Sequence, residues 1–170
     1  MPTVNVIGIT NTAFHNADGK FRQNIVSINL NNTPYTNGDM CRAFYGDSIN
    51  KPELTTLTNL NQNITNTCQT FRECYKLTTT PTIPNSVTNM HQTFWGCSNL
   101  TVSPNISSSA TNVCYVFYGC SNLTSVSAAP NTITNMAYAY ARTNITAAPS
   151  LPTSTISIAG TFQGCSRYRS

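Results

Sequence analysis

Charge is what this sequence has least of. Lys, Arg, Asp and Glu make up 8% of its 170 residues, about a third of the usual share. The five acids, Asp18, Asp39, Asp47, Glu53 and Glu73, are scattered. They form neither the converging carboxylates of a glycosidase nor a Ser-His-Asp set with His15 or His91, so no enzymatic activity and no cofactor are expected. Nine basic residues form no stripe. The densest spot is Arg167-Tyr168-Arg169, with Arg142 nearby, and nucleic-acid binding, which calls for clustered cations among stacking aromatics, is not expected. No run approaches the ~20 apolar residues of a membrane span. The opening Met1-Pro2-Thr3-Val4-Asn5-Val6 lacks the basic and apolar regions of a secretory leader. Two routes stay open: retention in a cytoplasm until assembly, or a leader already removed.

Threonine and asparagine stand where the charges are missing. Thr favours strands, and Asn favours turns and tolerates left-handed backbone. The composition therefore reads as short strands joined by many turns.

The dominant signal is internal repetition. Phe71, Phe94 and Phe117 lie 23 residues apart, and Tyr140 continues the series at the same spacing. Phe162 follows 22 residues later, and Phe44 precedes Phe71 by 27. Three residues after the aromatic come Cys74, Cys97, Cys120 and Cys165, and six after it come Leu77, Leu100 and Leu123. Five before it stand Asn66, Asn89, Asn112 and Asn135; Met40, Met90 and Met136 stand four before. The string G-C-S-N-L-T occurs twice, at residues 96–101 and 119–124. Such regularity marks tandem units, none of which can bury its apolar face alone. Two units are irregular. After Phe44, Asp47 replaces Cys and Leu54 falls four places late, which places a small insertion near residues 48–53. In the Tyr140 unit, Thr143 replaces Cys and Ile145 replaces Leu.

Within a unit, N-M-H-Q-T-F-W-G-C (residues 89–97) puts Met90, Phe94 and Cys97 at helical spacing with Gly96 as terminator, which predicts a single α or 3-10 turn. L-T-V-S-P (residues 100–104) predicts a short strand ended by proline. The expected fold is a repeat solenoid of five to six units over residues 37–170, with short parallel strands and one helical turn per unit of about 23 residues. Residues 1–36 fall outside the pattern. Val4 and Val6 alternate, Val26, Ile28 and Leu30 alternate, and Asp18-Gly19 offers a turn between them, so a β-hairpin-like N-terminal cap or attachment segment is expected. The chain ends eight residues after Phe162 without a polar cap, and that end is expected to meet a partner or a second copy.

The cysteines fall in two phases: Cys74, Cys97, Cys120 and Cys165 after the aromatic, and Cys41, Cys68 and Cys114 before it. Cys68/Cys74 and Cys114/Cys120 could be ligand pairs or disulfides, but six-residue gaps lack the close spacing of a zinc site. The favoured reading is a column of small buried hydrophobes, and no metal is expected. Asn31, Asn63, Asn99, Asn105, Asn122 and Asn144 begin N-x-S/T sequons, which matter only on a eukaryotic secretory route. Aromatics near the marker, Tyr45, Tyr75, Trp95, Tyr115, Tyr118 and Tyr138, can make an extended surface. Of these, Tyr45, Tyr75, Trp95 and Tyr118 are the candidates for an exposed stripe that stacks on sugars or packs on a protein. The alternative is that they simply cover the convex side.

Written as T-N-M-x-x-T-F-x-G-C-S-N-L-T, the unit resembles the BspA-like branch of leucine-rich repeats, found in bacterial surface proteins and in some phage and protist proteins. The resemblance covers about residues 39–170. It implies a leucine-rich-repeat solenoid and a ligand-binding or adhesive role at a surface. With no visible leader or anchor, the expectation is a phage virion structural, decoration or host-attachment protein that contacts a protein or glycan. A secreted cell-surface adhesin and an accessory module of a carbohydrate-active protein are the alternatives.

Overall fold

The computed structural model describes residues 4–5, 27–29, 38–47, 49 and 51–167. The predicted turn at Asp18-Gly19, His15, the Asn31 sequon, Tyr168 and Arg169 lie outside them. The described chain winds into stacked coils, and each coil contributes a nine-residue arc running from the Asn position to the Cys position. These arcs are residues 39–47, 66–74, 89–97, 112–120, 135–143 and 157–165.

Parallel bridges join the starts of the arcs in an unbroken ladder: Asp39, Asn66, Asn89, Asn112, Asn135 and Ser157. Asn occupies the rungs because its side chain completes the turn that follows. Oδ1 of Asn66, Asn89, Asn112 and Asn135 accepts the backbone N–H two residues on at 3.0–3.1 Å, an Asx-turn that lets the chain leave the ladder. Thr residues ahead of the Asn extend the ladder, with the backbone N–H of Thr88, Thr111 and Thr134 donating to the Thr carbonyl one coil back.

Along each arc the peptide groups alternate in direction. The N–H groups of Met90, Gln92, Phe94 and Gly96 donate to the carbonyls of Asn112, Cys114, Val116 and Tyr118 in the next coil at 2.8–3.0 Å. The intervening N–H groups of Thr93, Trp95 and Cys97 close four-residue turns onto Met90, Gln92 and Phe94. The same alternation recurs in the coils on either side, so the backbone of the arc leaves no buried donor unpaired.

This corrects the expected α or 3-10 turn: among the described residues there is neither. The cause lies in the dihedrals. Arg42, Gln69, Gln92, Tyr115 and Tyr138, each two before the aromatic, have φ of 53° to 60°. Glu73, Gly96, Gly119, Arg142 and Gly164, each two after it, lie at 57° to 72°. A left-handed residue cannot continue a right-handed helix, but it fits the third position of a type II turn. Holding a non-glycine residue there costs about 1–2 kcal/mol, which the four inter-coil hydrogen bonds of every arc offset.

The strand prediction is also corrected in place. The continuous ladder runs through the Asn position, whereas the stretch predicted at residues 100–104 supplies only the bridge Val102 to Ser125. A second short sheet joins β1 (Val4–Asn5), β2 (Ser27–Asn29) and β3 (Thr56–Leu57) in that order. Both pairings are parallel, Val4 to Ile28 and Ile28 to Leu57, and Thr56 continues to Thr79. The expected hairpin is therefore overturned, because hairpin strands run antiparallel. The described N-terminal strands extend the same parallel stacking as the repeats.

The core is built of columns. Phe44, Phe71, Phe94, Phe117, Tyr140 and Phe162 stack with centroids 5.5–5.9 Å apart and planes within 18°, the offset geometry aromatic rings prefer. Leu54, Leu77, Leu100, Leu123 and Ile145 form a second buried column, which confirms the four-residue insertion after Phe44. Cys74, Cys97 and Cys120 are fully buried and Cys165 half-buried, and all seven cysteines are free. The thiols do more than fill space. Sγ of Cys74, Cys97, Cys120 and Cys165 donates to the carbonyl of Phe44, Phe71, Phe94 and Tyr140 one coil back at 3.0–3.3 Å. The column of small buried hydrophobes becomes a column of weak hydrogen-bond donors. The other phase, Cys41, Cys68 and Cys114, sits half-buried. Desolvation first, and the neighbouring Cys41 second, push the Cys68 thiol up to about 12.

Two outcomes follow. Tyr140 occupies a Phe column, and its hydroxyl, buried, has no hydrogen-bond partner among the described residues. Leaving such a group unmade costs about 1–3 kcal/mol. Tyr140→Phe is therefore expected to raise stability by about 1–2 kcal/mol in chemical denaturation; a loss of stability would show that the hydroxyl has a partner. The second outcome concerns pH. Burial holds the thiols of Cys74, Cys97 and Cys120 protonated well above their ordinary value of 9.0. Above about pH 9 the unfolded chain releases these protons while the native state keeps them. Their contribution is thus complete below pH 9 and is lost above it at about 1.4 kcal/mol per pH unit per thiol. Urea midpoints should be flat from about pH 7 to 8 and fall between about 9 and 11, with a shallower fall in Cys97→Ala. An equal slope in that variant would refute the assignment.

Candidate functional site

The left-handed backbone decides what the outer face of the arcs carries. Each turn throws the residue two before the aromatic and the residue one after it outward, and stacking aligns them into two columns. The first is Arg42, Gln69, Gln92, Tyr115, Tyr138 and Gly160. Arg42 Nε donates to Gln69 Oε1 at 2.6 Å, and Gln69 Nε2 to Gln92 Oε1 at 2.5 Å. Tyr115 and Tyr138 then stack at 4.8 Å with planes 8° apart. Gly160 is required here: its φ is +60°, and a Cβ would come within 2.4 Å of the Tyr138 ring.

The second column is Tyr45, Arg72, Trp95, Tyr118, Ala141 and Gln163. The Arg72 guanidinium lies between two rings, 5.5 Å from the Tyr45 centroid and 4.6 Å from Trp95. Its Nη1 also donates to Gln92 Oε1 at 3.1 Å. Trp95 meets Tyr118 at 4.4 Å and Tyr115 at 5.1 Å, and His91 stands edge-on to Tyr115 at 6.4 Å. Desolvation above all lowers the His91 pKa, so the ring is neutral at neutral pH. Beyond Tyr118 the column breaks. Ala141 is small, and a cleft of about 240 Å³ opens beside it, walled by Trp95, Tyr115, Tyr118 and Tyr138 and rimmed by Arg142 and Gln163.

Of the four stripe residues, the structure brings Tyr45, Trp95 and Tyr118 onto this face, linked through Arg72. All are half-buried, not freely exposed. Tyr75 is elsewhere. It lies four after the aromatic, its hydroxyl donating to Glu53 at 3.2 Å and its ring flanked by Lys51 and Lys76, while Lys76 pairs with Glu53. Reading by proximity to the marker missed the roles of Tyr115, Tyr138, Arg72 and Arg142. Alignment by column was the available signal, since Tyr115 and Tyr138 share the phase of Gln69 and Gln92. Among the described residues no group of three or more His, Cys, Asp or Glu is placed to hold a metal ion.

No protein-family model and no curated protein matches the chain. Among solved structures, it is similar to a leucine-rich cell surface protein from Faecalibacterium prausnitzii A2-165, with TM-score 0.66 and 21% identity, over 96% of this chain and 42% of that one. A leucine-rich repeat protein from Bacteroides ovatus ATCC 8483 aligns at TM-score 0.41 and 15% identity, over 98% of this chain and 62% of that one. The chain thus spans less than half the length of the first. The first likeness shows the fold, a solenoid of the leucine-rich-repeat type.

Arg72→Ala removes two cation–π contacts and the Gln92 hydrogen bond, while also removing a buried Nε–H without a partner. The net expectation is a loss of about 1 kcal/mol and a red shift of Trp95 emission as the indole gains water. An unshifted emission would show that Arg72 does not cover the indole.

Proposed function

We propose that this chain is a non-enzymatic, surface-displayed binding module that holds a glycan or protein partner against its aromatic–arginine face. The observation that carries the reading is the convergence of Trp95, Tyr115, Tyr118 and Tyr138 around one cleft. Half-buried aromatics with polar tips, set on a rigid stacked scaffold, are how solenoids make recognition surfaces. The repeat string resembles the BspA-like branch, and the first structural relative is described as a cell surface protein; both favour a cell-surface setting. The virion expectation rested on the absence of a leader, and neither the fold nor the comparisons support it, so the cell-surface alternative takes its place. Docking into a larger assembly or self-association belongs to the same proposal.

The test is binding of the full chain to an immobilised panel of glycans and extracellular-matrix proteins, with Trp95→Ala/Tyr118→Ala in parallel. Loss of at least tenfold in affinity in the double variant, with its thermal transition intact, is expected. Undiminished binding by the folded double variant would overturn the face as the site.

A further inference from the structure

The cleft exists because one column member is too small. Along the column after the aromatic, Tyr45, Arg72, Trp95 and Tyr118 each cover their neighbour at 4.4–5.5 Å. Ala141 should continue the series and leaves a gap instead. Trp95 covers one side of the Tyr118 ring; the side towards the next coil is uncovered except for the Arg142 guanidinium, 5.4 Å from the centroid. The gap has the size and position of one ring.

Its chemistry is specific as well. The hydroxyls of Tyr115, Tyr118 and Tyr138, the Gln163 amide and the Arg142 guanidinium all border the cleft. Among the described residues none of these side-chain groups makes a hydrogen bond to the protein. Elsewhere the outer face saturates its polar groups, as the Arg42–Gln69–Gln92 chain shows. A flat hydrocarbon ring in the cleft would cover these groups without pairing them, at about 1–3 kcal/mol each. A pyranose has C–H faces to lay on Tyr118 and hydroxyls around its edge for the donors.

The charge selects further. Arg142 has no ion pair among the described residues, where the one salt bridge is Lys76 to Glu53. The acid in its own column, Glu73, lies three coils away, about 14 Å at strand spacing, beyond a Debye length at physiological salt. A guanidinium at the rim of a ring-sized cleft, with no carboxylate opposite it, matches a carboxylate on the ring. We propose that the Ala141 cleft is a subsite for one acidic sugar residue, a uronic or sialic acid. Its ring lies on Tyr118 and its carboxylate on Arg142. This rests on the binding-face reading above and names its ligand.

The protein carries one tryptophan, in the wall of the cleft, so its emission reports occupancy. The full chain is titrated with oligosaccharides of galacturonic, glucuronic and N-acetylneuraminic acid, and with their uncharged methyl esters, by Trp95 fluorescence and calorimetry. At least one acid form should bind at least tenfold more tightly than its ester. Arg142→Gly should abolish that difference without unfolding the chain, because Gly96, Gly119 and Gly164 hold the same left-handed position in their coils. Ala141→Tyr completes the column and should abolish binding of both forms while preserving or raising thermal stability. If no acid form binds better than its ester, or Arg142→Gly leaves the preference in place, the acidic-sugar assignment falls. If Trp95→Ala/Tyr118→Ala still loses a neutral glycan or a matrix protein in that case, the face survives as the binding surface. Binding indifferent to all three variants removes both.

Discussion

The structure depends on the four N–H groups that each arc sends to the next coil. They fix every arc in register with its neighbour, at the strand spacing of about 4.8 Å, and all of them point the same way along the stack. Register then makes columns, and columns make the core: one Phe, one Leu and one Cys position per coil repeat into continuous stacks. No coil could bury these side chains alone, so the hydrophobic gain is realised only between coils. The same bonds tolerate the positive φ of Gln69, Gln92, Tyr115 and Tyr138, a conformation isolated peptides of those residues rarely adopt.

The polar side chains follow the same logic. With so few charges, the molecule satisfies its backbone through amides, hydroxyls and thiols. Asn side chains close the turn at the ladder, Thr hydroxyls reach the carbonyl one coil back, as Thr93 does to Thr67 at 2.8 Å, and thiols do the same from inside. Cysteine suits that last position because it is small enough to pack in a column and can still donate weakly to a carbonyl already engaged by its own turn.

Much of this was legible in the sequence. The 23-residue period, the aromatic and leucine columns, the insertion after Phe44 and the unbridged cysteines follow from spacing and from the type of residue at each phase. The arc was misread because Met90, Phe94 and Cys97 face inward at spacings of four and three, which a helix and a run of tight turns share. Nothing in Gln92 or Tyr115 signals left-handed backbone, since that preference belongs to Gly, Asn and Asp; the inter-coil bonds impose it. Strand direction at Val4–Asn5 and Ser27–Asn29 was equally hidden, because alternation fixes which way side chains face and not which way the chain runs. For the outer face, the stripe was sought among aromatics close to the marker. What places a side chain there is its phase, which admits Tyr115 and Tyr138 and excludes Tyr75.

The arcs are nine residues long in every coil, while the return stretches absorb all the variation in unit length, from 22 to 27 residues. One side of the solenoid is therefore a ruler and the other a free margin. A change of length in a return leaves the graduations untouched, and a change of side-chain size in an arc alters one graduation without shifting the others. Ala141 is such a mark. Moving a small residue to position 118, or adding a coil, would relocate or multiply the opening in steps of one coil. Where this molecule can receive a guest is in that sense a digit in a linear code, written in the size of one side chain per turn.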